Sequence, residues 1–349
     1  MKKIGRLRIK RIIFIIFFLF SSAVILSKVI TKDPTKDDPE IFSLPPAEEP
    51  VFQLPNTPVI VPPYSQWIAK PCKEPQPTVL AIVHSSPSHL LHRRAIRQTW
   101  GSFPPGQNMT IKTVFVVGRS KLPKIQQRLE REAGQHGDIV ALEMIDSYTN
   151  LTAKHLAGLR WGLKNCPRVA YIMKADDDAL IDVRRAIKVL QSGSLGRNML
   201  ACRIVPEGTS PRRSGKWMVT RQDYPYQEYP EYCSGLAYFG TMSAMAGMYQ
   251  AATSGKMPYL WIDDVFLTGF AATQAGVKRL DMSVWFARTD QDIIKWMKNG
   301  NGERHFPWIV AEMSPRYWPT DALSLWNRIK QANNGIPELT TEFNSLEQK

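Results

Sequence analysis

VAYIMK at 169–174 runs straight into Ala175-Asp176-Asp177-Asp178, and this abrupt change of character decides the fold. An apolar run of that length predicts a strand buried on both faces, the kind that builds parallel sheets. Three adjacent carboxylates repel one another, so they need a cation or a solvated turn. Open parallel sheets bind ligands beyond the carboxyl ends of their strands, and the triplet falls at such an end. Oxygen-only donors suit hard cations such as manganese or magnesium, which also bind diphosphates. An exposed acidic turn is the other reading that these residues leave open.

Working towards the N-terminus, TVLAIVH at 78–84 is a second apolar, β-branched run. It ends in Ser85-Ser86-Pro87-Ser88, a loop rich in helix-capping residues, and a helix-like stretch follows through Trp100. TVFVVG at 113–118 predicts another buried strand, Pro123–His136 an amphipathic helix, 139–142 a strand and 152–165 a helix. Strands alternating with helices, each strand apolar throughout, indicate an α/β fold: a mostly parallel sheet covered on both faces. Beyond Met199 the pattern loosens, with a hairpin expected around 216–220 and helices near Met242–Thr253 and 265–275. No internal repeat is visible, so one α/β domain over 78–349 is the simplest account.

Two further clusters carry chemistry. In His92-Arg93-Arg94-Ala95-Ile96-Arg97-Gln98-Thr99-Trp100, helical spacing puts Arg93 and Arg97 on one face, and Ile96 and Trp100 on another. The planar guanidinium fork suits phosphate, so the pair is a candidate diphosphate clamp, with a solvated basic face as the alternative. In Trp261-Ile262-Asp263-Asp264-Val265, a carboxylate pair precedes a helix. It can cap that helix or supply a general base, and spacing alone does not choose.

Of the net charge of +14, six positive charges are Lys2, Lys3, Arg6, Arg8, Lys10 and Arg11, ahead of the uncharged run IIFIIFFLFSSAVILS at 12–27. That order predicts a cytoplasmic tail at 1–11, a retained signal-anchor at 12–30 and a lumenal remainder. A cleaved signal peptide is the alternative. Prolines recur from Pro34 to Pro77, so 31–77 is expected to be an extended stem. No later basic run is interleaved with stacking aromatics, which argues against nucleic acid as a partner. Asn108-Met-Thr and Asn150-Leu-Thr are glycosylation acceptor triplets, and Cys72, Cys166, Cys202 and Cys233 form an even set suited to disulfides, with connectivity open.

Taken in order, RRAIRQTW from Arg93, KADDD from Lys174, YPEYCSG from Tyr229 and IDDVFLTG from Ile262 resemble the motifs of the family 31 glycosyltransferases, over about 79–330. That family includes β-1,3-galactosyltransferases, β-1,3-N-acetylglucosaminyltransferases and Fringe-like enzymes. The resemblance implies a GT-A fold, a Rossmann-like sheet that binds a UDP-sugar through a divalent cation, usually manganese, and inverts the anomeric centre. It implies Asp178 as metal ligand, Asp176 near the ribose with Asp177 beside it, Asp264 as base, and Arg93 and Arg97 on the nucleotide side. It also implies a single-pass type II Golgi membrane enzyme with a lumenal catalytic domain, acting on a glycan of a glycoprotein or glycolipid. Self-association is left open. Three departures stand out. Ala311 falls where relatives carry a late metal-binding histidine, so either Glu312 or His305 is a candidate substitute ligand, with Asp176 a further candidate, or the metal is held more weakly. Ser234-Gly235-Leu236-Ala237-Tyr238 replaces a glycine-richer run, and Asp263 stands where a glutamate is usual. The first two keep alive an inactive, glycan-binding relative as the rival reading. They also leave open N-acetylgalactosamine or N-acetylglucosamine instead of galactose. A metal-dependent phosphate-ester hydrolase is a weaker rival, because no covalent nucleophile or second metal cluster is apparent.

Overall fold

The computed structural model describes residues 59–102, 110–192, 195–287, 289–298, 306–315 and 317–333. The tail, the anchor at 12–30, the stem up to residue 58, Asn108 and His305 lie outside the described residues. No helix among the described residues is long and apolar enough to cross a membrane.

Seven strands form one sheet in the order β3-β2-β1-β4-β7-β6-β8. They are β1 (Val79–His84), β2 (Ile111–Arg119), β3 (Ile139–Ile145), β4 (Tyr171–Asp176), β6 (Met199–Val205), β7 (Tyr232–Thr241) and β8 (Lys278–Asp281). β1, β2, β3 and β4 pair in parallel, β6 pairs in parallel with β8, and β7 runs against both its neighbours. The expected mostly parallel sheet is therefore present, with one reversed strand, β7, that the sequence reading did not anticipate. The loops after β1, β3, β4 and β6, and the start of β7, gather at one edge.

Strand alternation divides the core in two. Val79, Ala81, Val83, Phe115, Val117, Met173 and Ala175 pack on one face, with Ile96 and Trp100 of the segment after β1. Leu80, Ile82, Val114, Val116 and Ile172 pack on the other, against the helix Leu151–Asn165. That helix approaches closely because Gly158 faces the sheet: a Cβ there would stand 2.9 Å from Ile82 and Val116. A small sheet of β5 (Ala179–Ile181) and β9 (Val310–Glu312) continues directly from the acidic triplet.

Two expectations change. The proline-rich segment is not a spacer throughout. Tyr64 bridges to Leu142 antiparallel to β3, Cys72 N donates to Asn165 O, and Cys72 is disulfide-bonded to Cys166, so 59–77 belongs to the domain. Around 216–220 there are turns rather than a hairpin. The second bridge, Cys202–Cys233, ties β6 to β7.

Candidate active site

β4 ends at Asp176, level with His84 at the end of β1. The following turn is tied down from behind through three successive carbonyls. Trp318 Nε1 donates to Asp177 O at 2.8 Å, Met313 N to Asp178 O at 2.9 Å and Trp100 Nε1 to Ala179 O at 2.9 Å. Both indoles are buried, which explains why Trp100 sits where it does after the first helix. Fixing the main chain in this way holds three like charges together that would otherwise splay apart.

Each carboxylate then meets a different environment. Asp177 is buried and accepts from Ser85 Oγ at 2.6 Å and His89 Nδ1 at 2.9 Å. Burial alone would raise its pKa, but the His89 and Ser85 bonds hold it below the usual value. Asp176 points to the other face of the sheet, keeps 42% of its side chain accessible and accepts from Lys174 Nζ at 2.7 Å. Asp178 has a buried Oδ1 with no hydrogen-bond partner. Burial, then Asp176, Asp177 and Glu312, push its pKa up to about 7. An orphaned carboxylate oxygen among other acids is what a hard divalent cation satisfies, so these residues fit one. Glu312 pairs with Ala179 across the small sheet and so lies beside Asp178. Ala311, by contrast, is wholly buried in the core and offers no ligand.

The second acidic pair lies on the Asp176 face. Asp264 Oδ1 accepts from Val265 N at 2.9 Å, capping the π-helix Val265–Ala271. Burial, then the charge of Asp263, push Asp264 up to about 7. Asp263 is buried and accepts from His155 Nδ1 at 2.8 Å, while His155 Nε2 meets Tyr238 Oη at 2.7 Å. Burial lowers the pKa of His155, so the neutral ring passes hydrogen bonds from Tyr238 to Asp263. Burial would raise the pKa of Asp263, but the nearby Lys174 charge and the His155 bond hold it far below the usual range.

Lys174 joins the two clusters. Its buried ammonium bonds Asp176 and the carbonyl of Gly235. Burial alone would discharge it, but Asp176 and Asp263 keep it protonated. Gly235 also makes room for the base candidate: a Cβ there would stand 3.1 Å from Asp264 Oδ2. His84, His155 and Asp263 bring ligand-type atoms within 4.8 Å of one another. The adjacent Lys174 charge makes that spot unfavourable for a cation, and the Asp178 cluster is the better donor set.

Arg93 and Arg97 are not on an open basic face. Arg93 is fully buried, donating to Glu132 at 2.9 and 2.6 Å, to Ser85 Oγ at 2.9 Å and to Ser86 O at 2.5 Å. Arg97 is held by Asp138 and Glu132. Burying a guanidinium demands carboxylate partners, and Glu132 and Asp138 come from the helix Pro123–His136 and the connection to β3, which sequence spacing does not link to the arginines. Arg93 therefore braces the loop after β1 instead of gripping a diphosphate. Asn150 donates to Ile145 O, and Thr152 of its triplet is buried, bonded to Leu260 O. Sequence reading missed His89, His155 and Tyr238. A histidine within the apolar helix Leu151–Asn165 was the one available signal.

Residues 91–283 match the family model described as galactosyltransferase. The β-1,3-galactosyltransferase 5 of Pan paniscus is 31% identical over 197 residues, covering 56% of this chain and 65% of that protein. The lactosylceramide 1,3-N-acetyl-β-D-glucosaminyltransferase A of Danio rerio is 33% identical over 216 residues, 59% of this chain and 56% of that protein. Human β-1,3-galactosyltransferase 2 is 34% identical over 172 residues, 48% and 41% of the two chains. The chain thus spans 65% or less of the length of these relatives. Among solved structures, the galactosyltransferase LgtC with donor and acceptor sugar analogues aligns over 76% of this chain and 99% of that one. Its TM-score is 0.35 and its identity 12%, too low to equate the folds.

Proposed function

The chain belongs to the galactosyltransferase family, family 31 of the glycosyltransferases, and from that premise we propose an inverting transferase of the GT-A type. It moves a hexose, most simply galactose, from a UDP-sugar to a glycan hydroxyl in β-1,3 linkage. The single observation that carries this reading is the juxtaposition of two acidic clusters across one buried lysine: Asp176 and Asp178 on the donor side, Asp264 on the acceptor side.

Asp178 and Glu312 would hold the cation, manganese or magnesium, with Asp176 and His305 as further candidates. When bound, a divalent cation neutralises the charge of a departing diphosphate. The residues of the chain do the rest. Asp264, poised near neutrality, takes the proton of the attacking sugar hydroxyl, which is too weak a nucleophile unaided. His155 and Lys174 keep the charge on Asp263, so that Asp264 is the member of the pair that exchanges a proton. Arg93 and Asp177 brace the loop after β1 that lines the donor side.

Both disulfides suit an oxidising lumen. With the basic head and the apolar run at 12–30, they support a type II Golgi membrane protein whose acceptor is a glycan of a glycoprotein or glycolipid. The test is UDP release from a panel of UDP-sugars and oligosaccharides, with manganese or EDTA. Asp178→Asn is expected to abolish metal-dependent UDP binding. UDP affinity indifferent to both EDTA and that change overturns the donor-site reading.

A further inference from the structure

Tyr148 lies just past the end of β3, and Trp217 in the excursion between β6 and β7, so two chain segments meet at the edge of the sheet where Asp264 sits. Their rings are perpendicular with centroids 5.1 Å apart. Lys216 Nζ stands 4.6 Å from the Tyr148 ring centre and 4.8 Å from that of Trp217. Tyr148 is 48% exposed and neighbouring Met218 47%. Trp217 is half-buried, so Tyr148 and Met218 are the open apolar groups of the patch, placed to meet a partner.

The patch is anchored to the segment that carries the base. Tyr259 Oη donates to Thr149 O at 3.4 Å and Thr152 Oγ1 to Leu260 O at 2.6 Å, a few residues before Asp264. Val219, Tyr224 and Tyr229 of the same excursion pack in the core on the sheet face of Asp264, whereas Asp177 and His89 lie towards the opposite face. The anchors at Thr149 and Thr152 therefore tie the aromatic patch to the segment that carries the proton acceptor, on the face away from Asp177 and His89.

We infer that Tyr148 and Trp217 form a stacking subsite for the apolar face of an acceptor sugar ring, with the Lys216 ammonium, which lies over both rings, displaced towards the sugar hydroxyls when the ring binds. A pyranose presents one face of C–H bonds and a rim of hydroxyls, which matches one exposed aromatic face, flanked by the edge of a second ring and a hydrogen-bond donor. The subsite rests on the transferase reading only for calling the bound sugar the acceptor.

The test uses the full-length protein in detergent on a printed panel of neutral oligosaccharides ending in galactose, N-acetylglucosamine or N-acetylgalactosamine, with UDP affinity measured in parallel. Trp217→Ala and Tyr148→Ala are each expected to weaken glycan binding by about tenfold and leave UDP affinity unchanged. Trp217→Phe keeps a ring and should retain most of the binding, and unchanged melting curves exclude misfolding. Glycan binding that survives both alanine changes, a wild-type protein that binds no member of the panel, or a loss confined to UDP affinity overturns the inference. Loss of glycan binding in a protein that never binds UDP upholds the subsite while removing the transferase reading.

Discussion

Replacing Asp264 by asparagine should move stability and activity in opposite directions. Asparagine keeps an oxygen to accept from Val265 N, so the cap on the π-helix survives. What disappears is a charge that burial and Asp263 make costly, having pushed the carboxyl up to about 7. An acid whose folded pKa exceeds its unfolded value costs nothing below about pH 4. The cost grows as pH climbs towards 7 and is complete above it. At about 1.4 kcal/mol per pH unit the ceiling is about 4 kcal/mol, and the water that still reaches the side chain halves it to about 2 kcal/mol. Asp264→Asn should therefore melt about 4–8 °C higher than the parent at pH 8 and within a degree or so of it at pH 4. The assay is intrinsic-fluorescence melting of the full-length protein at both pH values, beside sugar transfer at saturating donor. Transfer should fall by about 10²–10⁴. Equal melting temperatures at pH 8 would refute the electrostatic account of the pair, and unchanged transfer would remove Asp264 from the chemistry.

Arg93→Leu strands Glu132 with Arg97 as its one remaining partner and frees the loop at Ser85. It should cost about 3–5 kcal/mol, read as a melting temperature about 10 °C lower, where a solvent-facing arginine would show almost no change. The double change Cys72→Ser with Cys166→Ser opens a closure spanning 94 residues. It should cost up to about 4–5 kcal/mol and sharply raise protease sensitivity near residue 72; protection equal to the parent's would return 59–77 to the role of a free stem.

The features legible in the chain before folding are local and periodic. Apolar strands at 78–84, 113–118 and 169–174, the helix Pro123–His136 and the acidic ends of strands are all written in neighbouring residues, because burial periodicity and charge repulsion act over a few positions. Four motifs in order were also enough to reach the family. Long-range pairing supplied the rest. It reversed β7 and closed Cys72 on Cys166. It turned Arg93 and Arg97, a candidate phosphate clamp or solvated basic face, into a carboxylate-paired brace. It also brought Asp263 to Lys174, and His155 between Tyr238 and Asp263. A buried charge takes whichever counter-charge the fold delivers to it, and in this chain those partners lie 39 residues away for Arg93 and 108 for His155. No window of sequence contains both members of such a pair, so their chemistry becomes readable only once the sheet has assembled.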